Sequence, residues 1–497
     1  MADPDIIAAE DPLAGEDLAH RVTQGGLVRV VGFGLTNILA ALTSIVLLRH
    51  LGVDEFGRYG TVMALMTIVN GVTDGGMNIA GTRELALIPA GPERRSLTGV
   101  ILGIRIVLTI VGVGLAILFA VVAGYDNVLV EGTALAGVGI VMMAISAVLT
   151  LPLGVELRNT RLTLFELSKQ VVALVATVAF VAGGASLLAL LGVQTVVGVA
   201  SVVAVPLIGG AIALVAPRYD RAEWIRIVRI ALPVAIAGVL AVLYLRILVV
   251  MGSLMLSDRE LGYLVTSARV IEVLSGLPLL VVSVALPVVS VAARDNPGRL
   301  RYVAQRLLES SLILGLLSAL LLCFGAHVAV VVLGGSAYAG AAPVLAVQAF
   351  SLVTVFVTQS CVILLVALER QRDIVRGNLI GLAAVIVAGL VLLPAAGAQG
   401  GAIAALVADV VLSATMVVLL RRAGVGRELS VSGFARIGAA ALPAAAAGTA
   451  VALAVGSDPI WPALATGVVF LVALVALRAV PPELYESLRR LRPAGGR

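Results

Sequence analysis

The chain has 497 residues, of which 60% are hydrophobic and only 13% are charged, and its formal net charge is +5. Soluble domains are roughly 25% charged, so this composition excludes a water-soluble fold. Only α-helices and closed β-barrels span a bilayer, and the apolar runs here lack the two-residue alternation of barrel strands. The sequence therefore predicts an all-α integral membrane protein.

Fourteen apolar runs are long enough to cross the membrane as helices, since a hydrocarbon core about 30 Å thick requires roughly 20 residues. The first seven predicted helices cover 26–48, 59–80, 97–120, 132–151, 171–188, 193–215 and 230–251. The second seven cover 263–288, 311–333, 343–368, 374–393, 401–420, 434–455 and 461–477. An acidic tail, residues 1–25, precedes them, and a basic tail, residues 478–497, follows them.

Arginine and lysine are concentrated in alternate loops, and the opposite loops carry little beyond Arg49, Arg58 and Arg259. The positive-inside rule makes the basic loops cytoplasmic, and an even number of helices then places both termini in the cytoplasm. We expect a multi-pass protein of the cell inner or plasma membrane. Because topology accounts for the excess of arginine, we do not expect binding to nucleic acid.

A short motif occurs after the first and the seventh predicted helix, as VDEFGRY at residues 53–59 and SDRELGY at residues 257–263. Six helices separate the copies, so the two halves have the same orientation and are related by an axis along the membrane normal. This repeat predicts an N-lobe at 26–215, a C-lobe at 230–420 and an additional helix pair at 434–477. Two such lobes would enclose a central cavity.

Three stretches of the chain resemble known transporters. They are residues 47–59 with 74–77 and 82–85, residues 333–345 with 367–372, and residues 393–394 with 400–406. In their order and spacing the sequence resembles the multidrug/oligosaccharidyl-lipid/polysaccharide (MOP) flippase superfamily, in particular its polysaccharide or O-antigen flippase branch. One departure is that the second motif copy has no residue between Gly262 and Tyr263, where the first copy has Arg58.

The resemblance implies a transporter, not an enzyme. The expected activity is export of polyprenyl-pyrophosphate-linked oligosaccharide from the cytoplasmic to the outer leaflet by alternating access, for cell-surface polysaccharide synthesis. Polysaccharide polymerases and glycosyltransferases are the expected protein partners. The superfamily core has twelve helices, and the last two here are similar to an addition in lipid II flippases. The peptidoglycan precursor lipid II therefore remains an alternative cargo.

Four arginines within or at the ends of the apolar helices are candidate ligands for an anionic headgroup: Arg49, Arg105, Arg246 and Arg269. A charge at the helix centre costs at least about 2.5 to 3.5 kcal/mol, so these side chains should face the protein interior. Guanidinium binds phosphate bidentately and stays ionised when buried. In the structural alternative, Arg269 pairs with Glu272 at i, i+3 and Arg49 anchors the membrane interface. No obvious local partner exists for Arg246.

Uncharged and acidic candidates complete the predicted site. Asn70, Asp74 and Asn78 occur at i, i+4 and i+8, on one face of the predicted second helix. With Glu272 and Asp409, they are candidates for contact with sugar or with a coupling cation. The alternative is interhelical hydrogen bonding, worth under about 1 to 2 kcal/mol for each bond.

Other classes of function are less well supported by the sequence. A cation-coupled multidrug exporter should have an acid-rich cavity, whereas arginine outnumbers acid in the apolar helices. A membrane glycosyltransferase or polymerase needs a sizeable outer loop with paired carboxylates. A non-transporting scaffold protein for polysaccharide assembly would not explain why arginines occur inside apolar helices. The histidines are scattered and no Walker-type loop is present, so we expect no metal, no cofactor and no ATP hydrolysis by the chain itself.

Overall fold

The computed structural model describes residues 16–156, 158–209, 215–276, 278, 289, 292, 297–425, 430–455 and 460–479, with side chains from residue 31 onward except 209, 297 and 431. All the elements in these ranges are helical, as the sequence predicts. Residues 1–15 of the acidic tail, nearly all of the basic tail and most of the end of the predicted eighth helix lie outside the described residues.

Sixteen α-helices are described. The first eight are α1 (Glu16–Asp74), α2 (Met77–Ala86), α3 (Pro92–Val122), α4 (Asn127–Leu149), α5 (Leu151–Val155), α6 (Asn159–Ala182), α7 (Leu187–Leu191) and α8 (Val193–Gly209). The others are α9 (Arg221–Met255), α10 (Asp258–Leu274), α11 (Pro297–Gly334), α12 (Ala342–Gln348), α13 (Ser351–Ala367), α14 (Gln371–Arg422), α15 (Val431–Val455) and α16 (Ile460–Ala476). A 3₁₀ turn, Ser336–Ala341, joins α11 to α12.

Nine helices of the described chain are long and apolar enough to cross a membrane. The number becomes ten if Ser336–Gln348 and Ser351–Ala367, which are bent by 45°, together form one span. Two of the long helices contain a break where the sequence predicts a loop between spans. These observations agree with a multi-pass architecture, and the exact number of fourteen spans stays a prediction.

The breaks in the two longest helices have a backbone cause. Gly52 in α1 has φ 73° and ψ 179°, and Gly397 in α14 has φ 59° and ψ −137°. Glycine adopts such angles without the Cβ clash that other residues suffer. Glycine at these positions therefore lets the chain turn from one helix into the next.

The predicted C-terminal end of the second helix, 59–80, is wrong. The structure ends α1 at Asp74 and starts α2 at Met77, because Gly75 and Gly76 have φ angles of 47° and 64°. Asn78 consequently lies on a different helix from Asn70 and Asp74. The expected polar face with i, i+4, i+8 spacing does not exist as a continuous stripe.

Two compact units can be distinguished by their internal contacts. The first unit comprises residues 1–43, 73–117 and 134–235, and the second comprises 44–72, 118–133 and 236–497. In the first unit, Leu85, Ile101 and Phe165 are among the fully buried side chains of a core that joins α2, α3 and α6. The predicted lobes at 26–215 and 230–420 remain a prediction.

The second unit includes the last two helices. Helices α15 and α16 pack against each other and against α11. Ile437, Phe470 and Leu474 are buried in this contact with Ile313 and Leu320. The additional helix pair is therefore an integral part of the second unit.

The two copies of the sequence motif meet within the second unit. A Cβ added to Gly57 would lie 2.6 Å from the carbonyl oxygen of Asp258 and 2.7 Å from the amide nitrogen of Gly262. A Cβ added to Gly262 would lie 2.1 Å from the carbonyl oxygen of Val53. Backbone therefore packs directly on backbone here, a close approach that only glycine permits.

Substituting Gly262 by alanine should destabilise the second unit. The added methyl group must push away the backbone of Val53, and overpacking of this kind costs about 1 to 3 kcal/mol. We expect a lower midpoint of thermal unfolding for purified Gly262→Ala protein in detergent. Gly238→Ala is the matched control, because a Cβ at Gly238 meets no atom within 4 Å. Equal midpoints for the two variants would contradict the packing described.

Candidate functional site

The second unit contains a cluster of two arginines and one glutamate, here named the Glu272 cluster. Glu272 receives Arg246 Nη2 on Oε1 at 2.5 Å and Arg269 Nη1 on Oε2 at 3.0 Å. Arg269 Nε also donates to the hydroxyl of Ser44 at 3.0 Å. One carboxylate thus bridges two guanidinium groups, with one oxygen atom for each.

Helices α9 and α10 place Arg246 and Arg269 at similar distances from the turn that joins the two helices. Ser257 lies between the two helices, and its hydroxyl accepts a hydrogen bond from the amide of Glu260 as the N-cap of α10. A short connection of this kind makes consecutive helices antiparallel neighbours. Arg246 precedes Ser257 by eleven residues and Arg269 follows it by twelve, so each lies roughly 17 Å along its helix from the turn.

Arg246 has a partner, contrary to the expectation from the sequence. The partner is Glu272, which lies 26 positions further along the chain on another helix. The expected pair of Arg269 with Glu272 at i, i+3 is present as well. The structural alternative for Arg269, an ion pair with Glu272, is thus present, and its role as a headgroup ligand stays a prediction.

The Glu272 cluster has a positive charge and is open to its surroundings. Two arginines and one glutamate give the cluster a formal charge of +1. The side chains of Arg246, Arg269 and Glu272 are 25%, 35% and 40% exposed. Within the described part of the chain, the buried Nε of Arg246 has no hydrogen-bond acceptor. The exposed parts of the two guanidinium groups can therefore donate further hydrogen bonds to an anion.

The first unit contains a second arginine–carboxylate pair. Arg105 on α3 lies 3.3 Å from Asp74 at the end of α1, and its side chain is only 3% exposed while that of Asp74 is 35% exposed. The hydroxyl of Thr109 donates to the carbonyl oxygen of Arg105 at 2.7 Å and lies 3.3 Å from the hydroxyl of Thr73. The predicted headgroup ligand and the predicted polar residue are thus partners of each other, with the carboxylate on the more exposed side.

The structure also gives the positions of three further candidates. Arg49 is exposed and donates to the carbonyl oxygen of Val332 at 2.8 Å, a contact that fits an anchor at the end of a helix. Asn70 and Asn78 are both exposed. Among the described residues, no group of three or more His, Cys, Asp or Glu side chains could hold a metal ion.

Asp409 on α14 accepts a hydrogen bond from the hydroxyl of Tyr244 on α9. Tyr244 and Ser44 are contacts that the sequence did not indicate. A tyrosine within an apolar helix was the available signal for the first, because a buried phenol hydroxyl usually finds a partner. No signal marked Ser44, since serine is common in membrane helices.

Comparison with known proteins identifies the family. Residues 22–293, more than half of the chain, match the family described as polysaccharide biosynthesis protein. The chain belongs to this family. It is thereby a member of the flippase group of the MOP superfamily, as the sequence resemblance implied. No curated protein matches the sequence significantly.

Solved structures show the same fold at low sequence identity. The lipid II flippase MurJ in an inward closed conformation is 12% identical, with a TM-score of 0.73 over 93% of this chain and 99% of MurJ. An inward-facing multidrug resistance MATE transporter is 11% identical, with a TM-score of 0.61 over 81% and 99%. A MOP transporter from Pyrococcus furiosus is 13% identical, with a TM-score of 0.51 over 82% and 96%. These similarities confirm an all-α transporter fold.

Replacing Glu272 by glutamine should destabilise the protein, because Arg246 and Arg269 would lose the charge they share. For partly exposed ion pairs we expect a loss of about 1 to 2 kcal/mol, between the values for surface and buried pairs. The measurement is thermal unfolding in detergent. Glu131→Gln removes an exposed carboxylate from α4 and serves as the control. A Glu272→Gln protein as stable as the control would mean that the cluster does not hold α9 against α10.

Proposed function

We propose that this protein is a flippase that moves lipid-linked oligosaccharide from the cytoplasmic to the outer leaflet by alternating access. The cargo would carry a polyprenyl pyrophosphate, with the headgroup and glycan inside the protein and the lipid tail in the bilayer. The membrane would be the cell inner or plasma membrane, with both termini in the cytoplasm. The observation that supports a cargo with an anionic headgroup is the positive, partly exposed Glu272 cluster.

The geometry of the Glu272 cluster suits exchange of one anion for another. Glu272 presents two oxygens to two guanidinium groups at 2.5 and 3.0 Å. A phosphate group presents its oxygens to arginine in a similar bidentate way. The headgroup would bind by taking the place of Glu272 on one arginine or both. When the cargo leaves, Glu272 would neutralise the arginines again, so that neither remains unpaired in an apolar environment.

The Arg105–Asp74 pair and the Asp409–Tyr244 contact would have supporting roles. Arg105 is 3% exposed, so headgroup access to its guanidinium would require Asp74 to move. Asp409 is a carboxylate within an apolar helix, where a proton or a small cation can neutralise it. We assign it a role in energy coupling, and the Glu272 cluster a role in cargo binding.

A second cargo has specific support. The fold matches the lipid II flippase over 93% of this chain, a share that reaches beyond a twelve-helix core into the last two helices. Lipid II also carries an anionic headgroup, which the same arginines would bind. The proposed oligosaccharide cargo rests on the family match at 22–293, and the two cargoes are separated by experiment.

The first test is depletion of the protein in its native host. Lipid-linked oligosaccharide should accumulate on the cytoplasmic leaflet, as measured by its protection from a membrane-impermeant oxidant of sugars. Wild-type protein should restore export, and Arg246→Ala should reduce it by about tenfold to a hundredfold, the cost of one lost charge-assisted contact to phosphate.

Arg229→Gln is the control for this test, because Arg229 is exposed on α9 and belongs to neither cluster. Protein amounts in the membrane are compared by immunoblot. Full export by Arg246→Ala at normal protein levels would exclude Arg246 from cargo binding. Accumulation of lipid II would favour the second cargo. Altered drug sensitivity without accumulation of either lipid would identify a multidrug exporter instead.

Outward export should depend on the membrane potential. If the cargo carries about two uncompensated negative charges, an inside-negative potential favours outward movement by up to about 4 to 5 kcal/mol per 100 mV. In proteoliposomes with a potassium diffusion potential, we expect a slower transfer rate after the potential is collapsed with an ionophore. Unchanged transfer would mean that the headgroup charge is compensated during transport.

A further inference from the structure

A cavity of about 380 Å³ lies in the first unit, beside the start of α3. Its wall is formed by the α2–α3 loop, the first two turns of α3, the short helix α5 and Val215. The volume falls within the range of about 300 to 1,000 Å³ that is typical of small-ligand sites. None of its lining residues belongs to the Glu272 cluster or to the Arg105–Asp74 pair.

Arg94 fixes the shape of this cavity. Its Nε and Nη2 donate to the carbonyl oxygen of Ile88 at 3.0 and 2.6 Å, which closes the α2–α3 loop onto α3. Its Nη1 lies 3.7 Å from Oε1 of Glu156, the residue that follows α5. The side chain is only 13% exposed, so one positive charge is held firmly in the wall.

The carboxylate in the wall, that of Glu156, lies within ion-pair distance of two arginines. Glu156 Oε2 lies 2.8 Å from Arg158 Nε, and its Oε1 faces Arg94. Glu93, in the first turn of α3, is exposed and does not line the cavity. Glu156 therefore contributes little free negative charge to the space that the wall encloses.

Arg95 is the cation available for a ligand. It lines the cavity and is exposed. No hydrogen bond or ion pair engages its guanidinium group within the described ranges of the chain. It also lies at the N-terminal end of the 31-residue helix α3, where the helix dipole favours negative charge. The guanidinium groups of Arg95 and Arg94 and the N-terminal end of α3 therefore all border the cavity.

We propose that this cavity is a binding site for a phosphate anion, distinct from the Glu272 cluster and independent of the proposed transport of glycan. Arg95 provides the main contact, and Nη1 of Arg94 provides the second. The α2–α3 loop belongs to the basic loops predicted to be cytoplasmic. The phosphate is therefore either the headgroup of an anionic lipid in the cytoplasmic leaflet or a soluble phosphate of the cytoplasm.

The test is a binding titration of the purified full-length protein in detergent. The probes are dihexanoyl phosphatidic acid, dihexanoyl phosphatidylcholine and inorganic pyrophosphate. Arg95→Gln should weaken binding of the phosphate probe by about tenfold or more, as expected for loss of one charged hydrogen-bond donor. Gly91→Leu tests the same site by filling the cavity without a change of charge, since a Cβ at Gly91 meets no atom within 4 Å.

Two further variants separate this site from others that bind phosphate. Arg229→Gln changes the net charge equally at an exposed position outside the cavity, and it should bind as wild type does. Arg246→Ala removes a member of the Glu272 cluster, and it should leave the Arg95-dependent binding intact.

Each outcome bears on the proposal. Arg95-dependent and Gly91-dependent binding of phosphatidic acid but not of pyrophosphate identifies a lipid site, and the reverse identifies a soluble ligand. Binding that Arg95→Gln and Gly91→Leu leave unchanged overturns the proposal. Binding lost only in Arg246→Ala overturns it too, and would assign the phosphate to the Glu272 cluster. Because export is measured separately, failure of this proposal leaves the proposed function standing.

Discussion

The free-energy cost of an ionised side chain in hydrocarbon governs the placement of charge in this protein. Each arginine placed well inside an apolar helix lies next to a carboxylate: Arg246 and Arg269 at Glu272, and Arg105 at Asp74. The pairing does not cancel the charge completely, because Glu272 serves two arginines. Its cluster is therefore both stable in an apolar setting and attractive to an anion. One arginine paired with one carboxylate would be stable in an apolar setting, but it would have no net charge to attract an anion.

Contacts within one helix could be predicted from the sequence, whereas contacts between helices could not. Arg269 and Glu272 are three residues apart, and helical periodicity alone places them together. The contact of Arg246 with Glu272 depends on how α9 packs against α10, which no spacing in the sequence records. The same reason explains why Ser44 and Tyr244 were missed. The all-helical fold was predicted because it follows from composition, which needs no knowledge of packing.

The error in the second predicted helix has a different origin. Hydropathy is continuous across residues 59–80, so the apolar run indicated one span. Two adjacent glycines, Gly75 and Gly76, both adopt positive φ and interrupt the helix without any change of hydropathy. A window of mean hydropathy cannot detect this break, but a pair of glycines next to Asp74 can suggest it. Because the helix ends at Asp74, Asn78 does not continue the polar face of Asn70 and Asp74.

The contact between Gly57 and Gly262 has a consequence for how the second unit can change shape. Its surfaces are main chain, as the short distances from Gly57 to Asp258 and from Gly262 to Val53 indicate. No side chain separates Gly57 from the backbone of Asp258 and Gly262, so movement at that point requires no change of rotamer, whereas the side chains of Val53 and Val265 pack beside it against Gly262 and Gly60. Interdigitated leucines at the same place would all have to change rotamer before the two segments could shift, whereas at the glycine contact only the neighbouring valines would.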